Sequence, residues 1–313
     1  MQQTLKHIAL QELGADLACE VILVDNASTD STCEKAQMIW SEAASNKIKL
    51  SIVTEPKKGL VYARQRGIAE ARYEYLVFCD DDNWLNKNYI SDVFKLFNKH
   101  PEIAVLGGRG MAQVEDESLI PEWFNSFYHG YAIGPQAEKE CMVNSVYGAG
   151  MAVRKLALKP VMSLPMFLHG RKANELSSGE DAEICLRIRL AGYQILYSPQ
   201  LTFKHFLTPQ RLTWSYLKKL HTGFGKCNII IGLYERALNS ENSKLSSLYW
   251  FKKALYFLGI YLKYWPKQYL AYRHKIGTTA EINHIVWKNI AITYFKYNFQ
   301  TVAIYRNIIA LKK

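Results

Sequence analysis

The chain has 313 residues, 49% of them hydrophobic, 13% aromatic and 21% charged, with a formal net charge of +11. That is apolar side chain enough for a sizeable core, and the balance excludes a disordered or fibrous chain. No apolar run reaches the roughly 18 residues of a membrane span, and six scattered cysteines without a CxxC pair exclude a disulfide framework and point to reduced thiols in a cytosol-like compartment.

The opening MQQTLKHIALQEL has neither a long apolar core nor a small-residue cleavage pattern, so no secretory signal is expected. Charge is unevenly placed. Residues 206–313 hold 17 Lys+Arg against 3 Asp+Glu, a balance of +14, which leaves −3 for residues 1–205. The basic region also holds 21 of the 40 aromatic residues. That combination suits an anionic membrane surface or nucleic acid, and equally a solvated helical appendage.

In chain order, CEVILVD (19–25), IKLSIV (48–53), YLVFC (75–79) and IAVLG (103–107) read as short buried strands with helical stretches between them. The alternation predicts an α/β fold of βαβ units, a mostly parallel sheet with helices on both faces, and ligands at the carboxyl ends of its strands. Two of those ends carry carboxylates: Asp25 ahead of NASTDST, and Asp80, Asp81 and Asp82 in CDDDN. Between them KKGLVYARQRGIAEA predicts a helix with a small-residue stripe, Leu60, Ala63, Gly67 and Ala71, for packing on the sheet. Arg64 projects from its first turns, and an arginine near strand-end carboxylates suits a diphosphate.

After residue 107, VEDESLIPEWFNSFYHGYAIGPQ reads as an irregular insertion able to line a substrate cleft, and VYGAGMAVR as a strand. SSGEDAEICLRIRLAGY predicts a helix with Glu180, Asp181 and Glu183 in its first turn, an apolar side of Ile184, Ile188 and Leu190, and a stop at Gly192. QILYSP and LTFKHF follow as a strand pair. From about residue 208 the pattern is helical. In 248–265 Lys252, Lys253 and Lys263 share one arc, with Leu248, Phe251, Leu255, Leu258 and Leu262 opposite, and Pro266 is expected to end the helix. Such a helix serves equally to pack on the first region or to lie on a membrane.

Three adjacent aspartates repel: at ~6 Å and an effective dielectric of ~20, each pair costs on the order of 3 kcal/mol. A hard cation, Mg²⁺ or Mn²⁺, removes that cost, and takes one or two carboxylates plus substrate phosphates. The plain alternative is an acidic turn in which Asp82 or Asn83 caps a helix starting near Lys87.

VILVDNASTDST, EPKKGLVYARQRGI, VFCDDDNWL, GAGMAVRK and SGEDAEICLRIRLAGYQILYSP, followed by FKH, resemble in order and spacing the inverting family 2 glycosyltransferases of GT-A (Rossmann-like) fold, across residues 20–205. The resemblance implies a divalent-cation-dependent transfer of sugar from a nucleoside diphosphate to a saccharide or lipid-linked saccharide acceptor. It implies Asp25 at the base or ribose, Arg64 near the donor, and Asp80 or Asp81 at the ribose. It further implies Asp82 as metal ligand, His205 completing the metal site, and Asp181 as general base, its basicity raised by burial and by Glu180. Without the resemblance, Asp181 is a helix N-terminal anion worth ~0.3–1 kcal/mol, and His205 is as often a packed or surface residue.

Two features depart from the family. Its opening strand, of the form VSVIIPTYN, is missing, and LKHIALQEL resembles the helix that follows it. The chain is therefore expected to begin inside the first βαβ unit, to leave neighbouring backbone unpaired, and to bind nucleotide weakly or fold poorly. Gln65 stands where Asn is frequent. The expected organisation is a catalytic region, 1–207, and a helical, basic, aromatic-rich region, 208–313, placed in the cytoplasm and peripherally on the inner face of the cell membrane. Three other readings compete: a truncated nucleotide-sugar-binding protein without transferase activity, a metal-dependent phosphohydrolase using the aspartate run, and a nucleic-acid-binding module. Nothing in residues 1–205 supports the last, so no nucleic-acid partner is expected.

Overall fold

A computed structural model describes residues 1–14, 17–43, 48–162, 164–170, 178–239, 246–272, 277–297 and 300–312. The first unit is a βαβ crossover. Strand β1 (Glu20–Asp25), helix α2 (Thr32–Ala43) and strand β2 (Lys49–Thr54) follow helix α1 (Gln2–Ala9), and β1 pairs with β2 in parallel from Glu20 opposite Lys49 to Asp25 opposite Thr54. Their apolar faces close over Leu5, Ala9, Ala36, Ile39, Trp40 and Ile48. Helix α3 (Leu60–Glu70) starts after Gly59, at φ 138, a conformation side chains other than glycine rarely take. It packs on β1 through the expected small-residue stripe: a Cβ at Gly67 would lie 3.5 Å from Val24.

The main sheet has six strands. They are β3 (Tyr75–Val77), β4 (Asn83–Leu85), β5 (Ile103–Gln113), β6 (Cys141–Met142), β7 (Ala152–Arg154) and β8 (Gln194–Phe206), in the order β3-β7-β5-β8-β4 with β6 on β8. Helices α4 (Tyr89–Lys99), α5 (Lys155–Met162) and α6 (Glu180–Leu190) cover it. Ile103, Val105 and Leu106 are fully buried in its centre, each contributing about 1.5–3 kcal/mol by leaving water.

The structure corrects four expectations. The main sheet is mixed rather than mostly parallel: among the described residues β5–β8 is its one parallel pair, because β4, β6 and β7 run antiparallel to their neighbours, and the parallel pair β1–β2 is a separate two-stranded sheet. The expected strand pair at 194–206 is the single strand β8, which stays with β5 across an irregularity opposite Gly107 and Arg109. The turn after CDDD leads into β4, so neither Asp82 nor Asn83 caps a helix; α4 begins six residues after Asn83. Pro266 does not end its helix, which continues to Tyr272.

Among the described residues, the edge of β1 away from β2 and the edge of β3 away from β7 have no strand partner. Both line one cavity of about 1340 Å³. All six residues of β1 are only partly buried for this reason.

The remainder is helical: a 3₁₀ turn (Pro209–Leu212), then α7 (Trp214–Asn239), α8 (Ser247–Tyr272), α9 (Thr279–Tyr297) and α10 (Thr301–Ile309). Gly225 lets α7 cross α9 closely, since a Cβ there would lie 2.8 Å from the Val286 carbonyl oxygen. Leu186 and Leu190 of α6 share one apolar cluster with Ile229, Leu233, Trp250 and Tyr294. Beneath it Arg187 and Glu183, both fully buried, pair at 2.8 Å. Arg187 also donates to the carbonyls of Val161, Leu164 and Pro165, while Glu183 accepts from the Phe167 and Leu168 amides and the Tyr234 hydroxyl. Breaking a buried pair of this kind costs about 3–5 kcal/mol, so α6 is firmly held. All six cysteines are free, and among the described residues no helix is long and apolar enough to cross a membrane.

Candidate active site

Asp25 ends β1, and its carboxylate accepts the Ser28 amide at 3.1 Å. Hydrogen bonding from Ser28 holds it below the ordinary carboxylate range. The next residue, Asn26, joins two loops to the start of α3: its Nδ2 donates to the Glu55 and Lys57 carbonyls at 3.0 and 2.7 Å, and its Oδ1 accepts the Gly59 amide at 2.7 Å.

The aspartate run is the turn between β3 and β4, closed by the Asn83 amide on the Asp80 carbonyl at 3.0 Å. Asn83 pairs with His205 across β4 and β8, and that register brings Asp82 beside the histidine. Asp82 Oδ2 lies 3.4 Å from His205 Nε2 and 2.6 Å from Arg211 Nη1, and Asp82 Oδ1 accepts from Asn83 Nδ2 at 3.0 Å. Burial pushes the Asp82 carboxyl up, but the basic groups beside it, His205 and Arg211, outweigh burial and hold it well below the usual range. Asp81 is exposed, with its carbonyl accepting from Thr4 at 2.6 Å.

His205 is 6% exposed. Its Nδ1 lies 2.6 Å from the Tyr131 carbonyl, which can only accept, and its Nε2 lies 3.0 Å from an Arg211 nitrogen, which can only donate. Nδ1 therefore donates to that carbonyl, and Nε2 is turned toward Arg211 and the Asp82 carboxylate together, the orientation in which a backbone carbonyl presets a ligating histidine. Two donors about 2.1 Å from one ion stand about 3 Å apart at right angles. Asp82 and His205 thus fit a divalent cation completed by substrate phosphates, in a seat that Arg211 takes here. Among the described residues no group of three or more His, Cys, Asp or Glu converges on such a seat.

Across the cavity stands a second cluster. Arg64, 7% exposed, has its Nη1 3.7 Å from Glu180 Oε1 and its guanidinium 5.4 Å over the Phe78 ring. Among the described residues its Nε and Nη1 are buried without a hydrogen-bond partner. Asp181, the second residue of α6, accepts the Gly148 amide at 3.0 Å and the Ala182 amide at 2.8 Å. A Cβ at Gly148 would lie 3.0 Å from both Arg64 Nη2 and Asp181 Cβ, so this glycine lets the two side chains approach one another. Beside them, burial, then the Asp181 charge, push the Glu180 carboxyl up to about 7 against the opposing pull of Arg64.

Asp25, Arg64, Asp80, Asp81, Asp82, Asp181 and His205 all line the one cavity. So does the expected irregular insertion, through His129, Tyr131 and Gln136. The sequence left Arg211 and Asn26 without a role. Arg211 follows His205 by six residues and reaches Asp82 only because a 3₁₀ turn folds it back, a contact with no local signature. Gly148 did carry one, a GAG run after a strand-like segment, where glycine marks close approach.

A family model described as glycosyl transferase family 2 matches residues 1–159. Among curated proteins, the poly-beta-1,6-N-acetyl-D-glucosamine synthase of Staphylococcus epidermidis (strain ATCC 35984) is 22% identical over 283 residues, 90% of this chain and 61% of that protein. The synthase of the same description from Staphylococcus aureus (strain COL) is 20% identical over 246 residues, 78% of this chain and 56% of that protein. The chain thus spans about 61% of the length of the first of these relatives. Among solved structures, a mannosyltransferase from Pyrobaculum calidifontis in complex with GDP-Man and Mn²⁺ superposes with a TM-score of 0.55 at 16% identity, covering 95% of this chain and 82% of that one. At that identity the likeness shows the fold, which is GT-A.

Proposed function

Because the chain belongs to glycosyl transferase family 2, we propose that it moves a sugar from a nucleoside diphosphate to an acceptor hydroxyl, with inversion at the anomeric carbon and with Mg²⁺ or Mn²⁺ in the donor site. Residues 1–207 do the chemistry in this reading, and 208–313 form the basic helical region. The observation that carries it is Arg64: a buried guanidinium two of whose nitrogens make no hydrogen bond among the described residues, one of them only an ion-pair neighbour of Glu180, separated only by a glycine from a carboxylate fixed on two backbone amides. Buried donors without partners are costly, and a diphosphate would satisfy them bidentately.

The roles follow from position. Asp25 and Asp80 or Asp81 receive the nucleoside at the strand ends. Arg64 neutralises the leaving diphosphate, and Asp82 and His205 hold the cation, which supplies Lewis-acid stabilisation of that same leaving group. Asp181 takes the proton from the acceptor hydroxyl: the Gly148 and Ala182 amides hold it aimed, and each oxygen retains a lone pair for the incoming O–H. Attack from the face opposite the diphosphate inverts the anomeric centre.

The two relatives named above are polysaccharide synthases by name, which supports surface polysaccharide or glycolipid synthesis and a saccharide or lipid-linked saccharide acceptor; the basic, aromatic-rich composition of residues 208–313 supports a place at the inner face of the membrane. A screen of nucleoside-diphosphate sugars with Mn²⁺ and saccharide acceptors tests the reading, with product configuration read by NMR. Sugar transferred with inversion supports it; phosphate released without an acceptor would favour a phosphohydrolase. The unjoined edges of β1 and β3 favour a second reading, a nucleotide-sugar-binding protein without turnover, for which donor binding with no transfer is the expected result.

A further inference from the structure

Helix α8 packs by a face that neither its lysines nor its leucines share. Trp250 and Ala254 are its buried residues, set against Tyr294 and Ile290 of α9. At 3.6 residues per turn they point about 180° away from an outer face of two adjacent stripes. One stripe is Leu248, Phe251, Leu255 and Leu262, within about 60° of one another, and these are 61%, 42%, 47% and 53% exposed. The neighbouring stripe, adjoining the leucines rather than opposite them as expected, holds Lys252, Lys263 and Lys267, with Lys253 at its border. Trp265, Tyr269 and Leu270 stand exposed along the last turns. Packing on the catalytic region, the plainer use of this helix, does not cover the leucines.

We infer that this outer face of α8 lies on an anionic bilayer surface, with the leucine and aromatic stripe sunk among the upper acyl chains and the lysines on phosphate headgroups. Charge selects this occupant. The helix carries four lysines and no acidic residue, and among the described residues none of the four has a carboxylate partner. A second copy docked on the same face would bring eight like charges together with nothing to neutralise them, whereas a bilayer rich in acidic lipid gives about 1 kcal/mol per lysine. Spanning is excluded for this helix by its hydropathy, which leaves the interfacial orientation that an apolar stripe bordered by lysine favours. The inference deepens the membrane part of the proposed function and is independent of its catalytic part.

Cosedimentation of the full chain with mixed phosphatidylglycerol/phosphatidylcholine vesicles tests it, with pure phosphatidylcholine as reference and GDP and UDP binding measured on the same preparation. Strong binding to the mixed vesicles is expected, weakened at least about tenfold by Leu255→Gln with Leu262→Gln. Lys252→Gln with Lys263→Gln and Lys267→Gln should lower both the affinity and its salt dependence. These side chains are exposed, so melting temperatures should stay put. Failure to bind the mixed vesicles overturns the inference, as does binding indifferent to the leucine pair, or a dimer in light scattering that the leucine pair dissolves. Vesicle binding without nucleotide binding would instead count against the catalytic reading alone.

Discussion

Arg211 stands 2.6 Å from the Asp82 carboxylate and 3.0 Å from the His205 ring nitrogen that faces it. One cationic nitrogen is thereby shared by the carboxylate and the imidazole. Asp82 and Arg211 are 16% and 22% exposed, shielded enough that the pair exceeds the usual surface value of under about 1 kcal/mol.

If a divalent cation is to take that seat, Arg211 must be displaced, and its ion pair is lost from the binding energy. Arg211→Ala should therefore raise Mn²⁺ affinity in the absence of nucleotide by about tenfold, equivalent to about 1.4 kcal/mol. Asp82→Asn should weaken it by at least as much. Electron paramagnetic resonance of free Mn²⁺ reads both without any turnover.

Glu180 supplies a pH dependence. It faces Arg64 from α6, with Asp181 beside it, Asp80 of the aspartate turn contributing, and Cys227 of α7 packed nearby. Its folded pKa is about 7 against a reference of 4.5, so the folded state binds this proton more tightly than the unfolded chain. Stability from this group is full below pH 4.5 and is lost as pH rises through about 7. Glu180→Gln should raise stability at pH 8 by about 1–3 kcal/mol in urea melts and leave it little changed at pH 5. Protonated Glu180 also frees the charge of Arg64, so GDP or UDP should bind more weakly at pH 8 than at pH 6. The glutamine variant should flatten that profile.

Gly148 sets the approach of Arg64 to Asp181. Gly148→Ala places a methyl 3.0 Å from each, tighter than ordinary contact, and the two functional side chains must part. Transfer should fall by about a hundredfold, since misplacement of about 1 Å costs that much. The melting temperature should move only a few degrees, which differential scanning fluorimetry checks.

The unpartnered edge of β1 should be visible in hydrogen exchange. Amides of Val21–Val24 that point away from β2 have no strand among the described residues to donate to, whereas Val105 and Leu106 are fully buried within the six-stranded sheet. The β1 amides should exchange much faster, as local opening requires little there. Equal protection would mean that the edge is covered in solution.

The parts of the fold readable in the sequence were those with local signatures. The strand at 19–25 announced itself by an apolar run, α6 by Gly179 and three acids in its first turn, and α3 by a small-residue stripe that does meet Val24. Strand direction had no such signature: β7 and β4 each have three residues, and whether they run with or against β5 and β8 is decided by tertiary packing. The candidate site divides in the same way. Asp25, Asp82, Asp181 and His205 sit at element ends, where spacing exposes them; Arg211 reaches Asp82, and Glu180 acquires a raised proton affinity, only through contacts made after folding. Pro266 misled because a proline inside a helix removes one backbone hydrogen bond without having to end the helix: α8 runs through it to Tyr272, although the residues flanking it are exposed.

The central claim, that Asp181 is the base of a sugar transfer whose donor is gripped by Arg64, is tested most directly by comparing Asp181→Asn with the native chain. Both are assayed for transfer from the best nucleoside-diphosphate sugar and, by calorimetry, for affinity toward the matching nucleoside diphosphate. Asparagine keeps the size of the side chain and, through its single Oδ1, one of the two amide hydrogen bonds, but cannot take a proton. Transfer should drop at least a thousandfold with nucleotide affinity held within about threefold. Transfer that survives the substitution, or nucleotide affinity that collapses with it, would contradict the account.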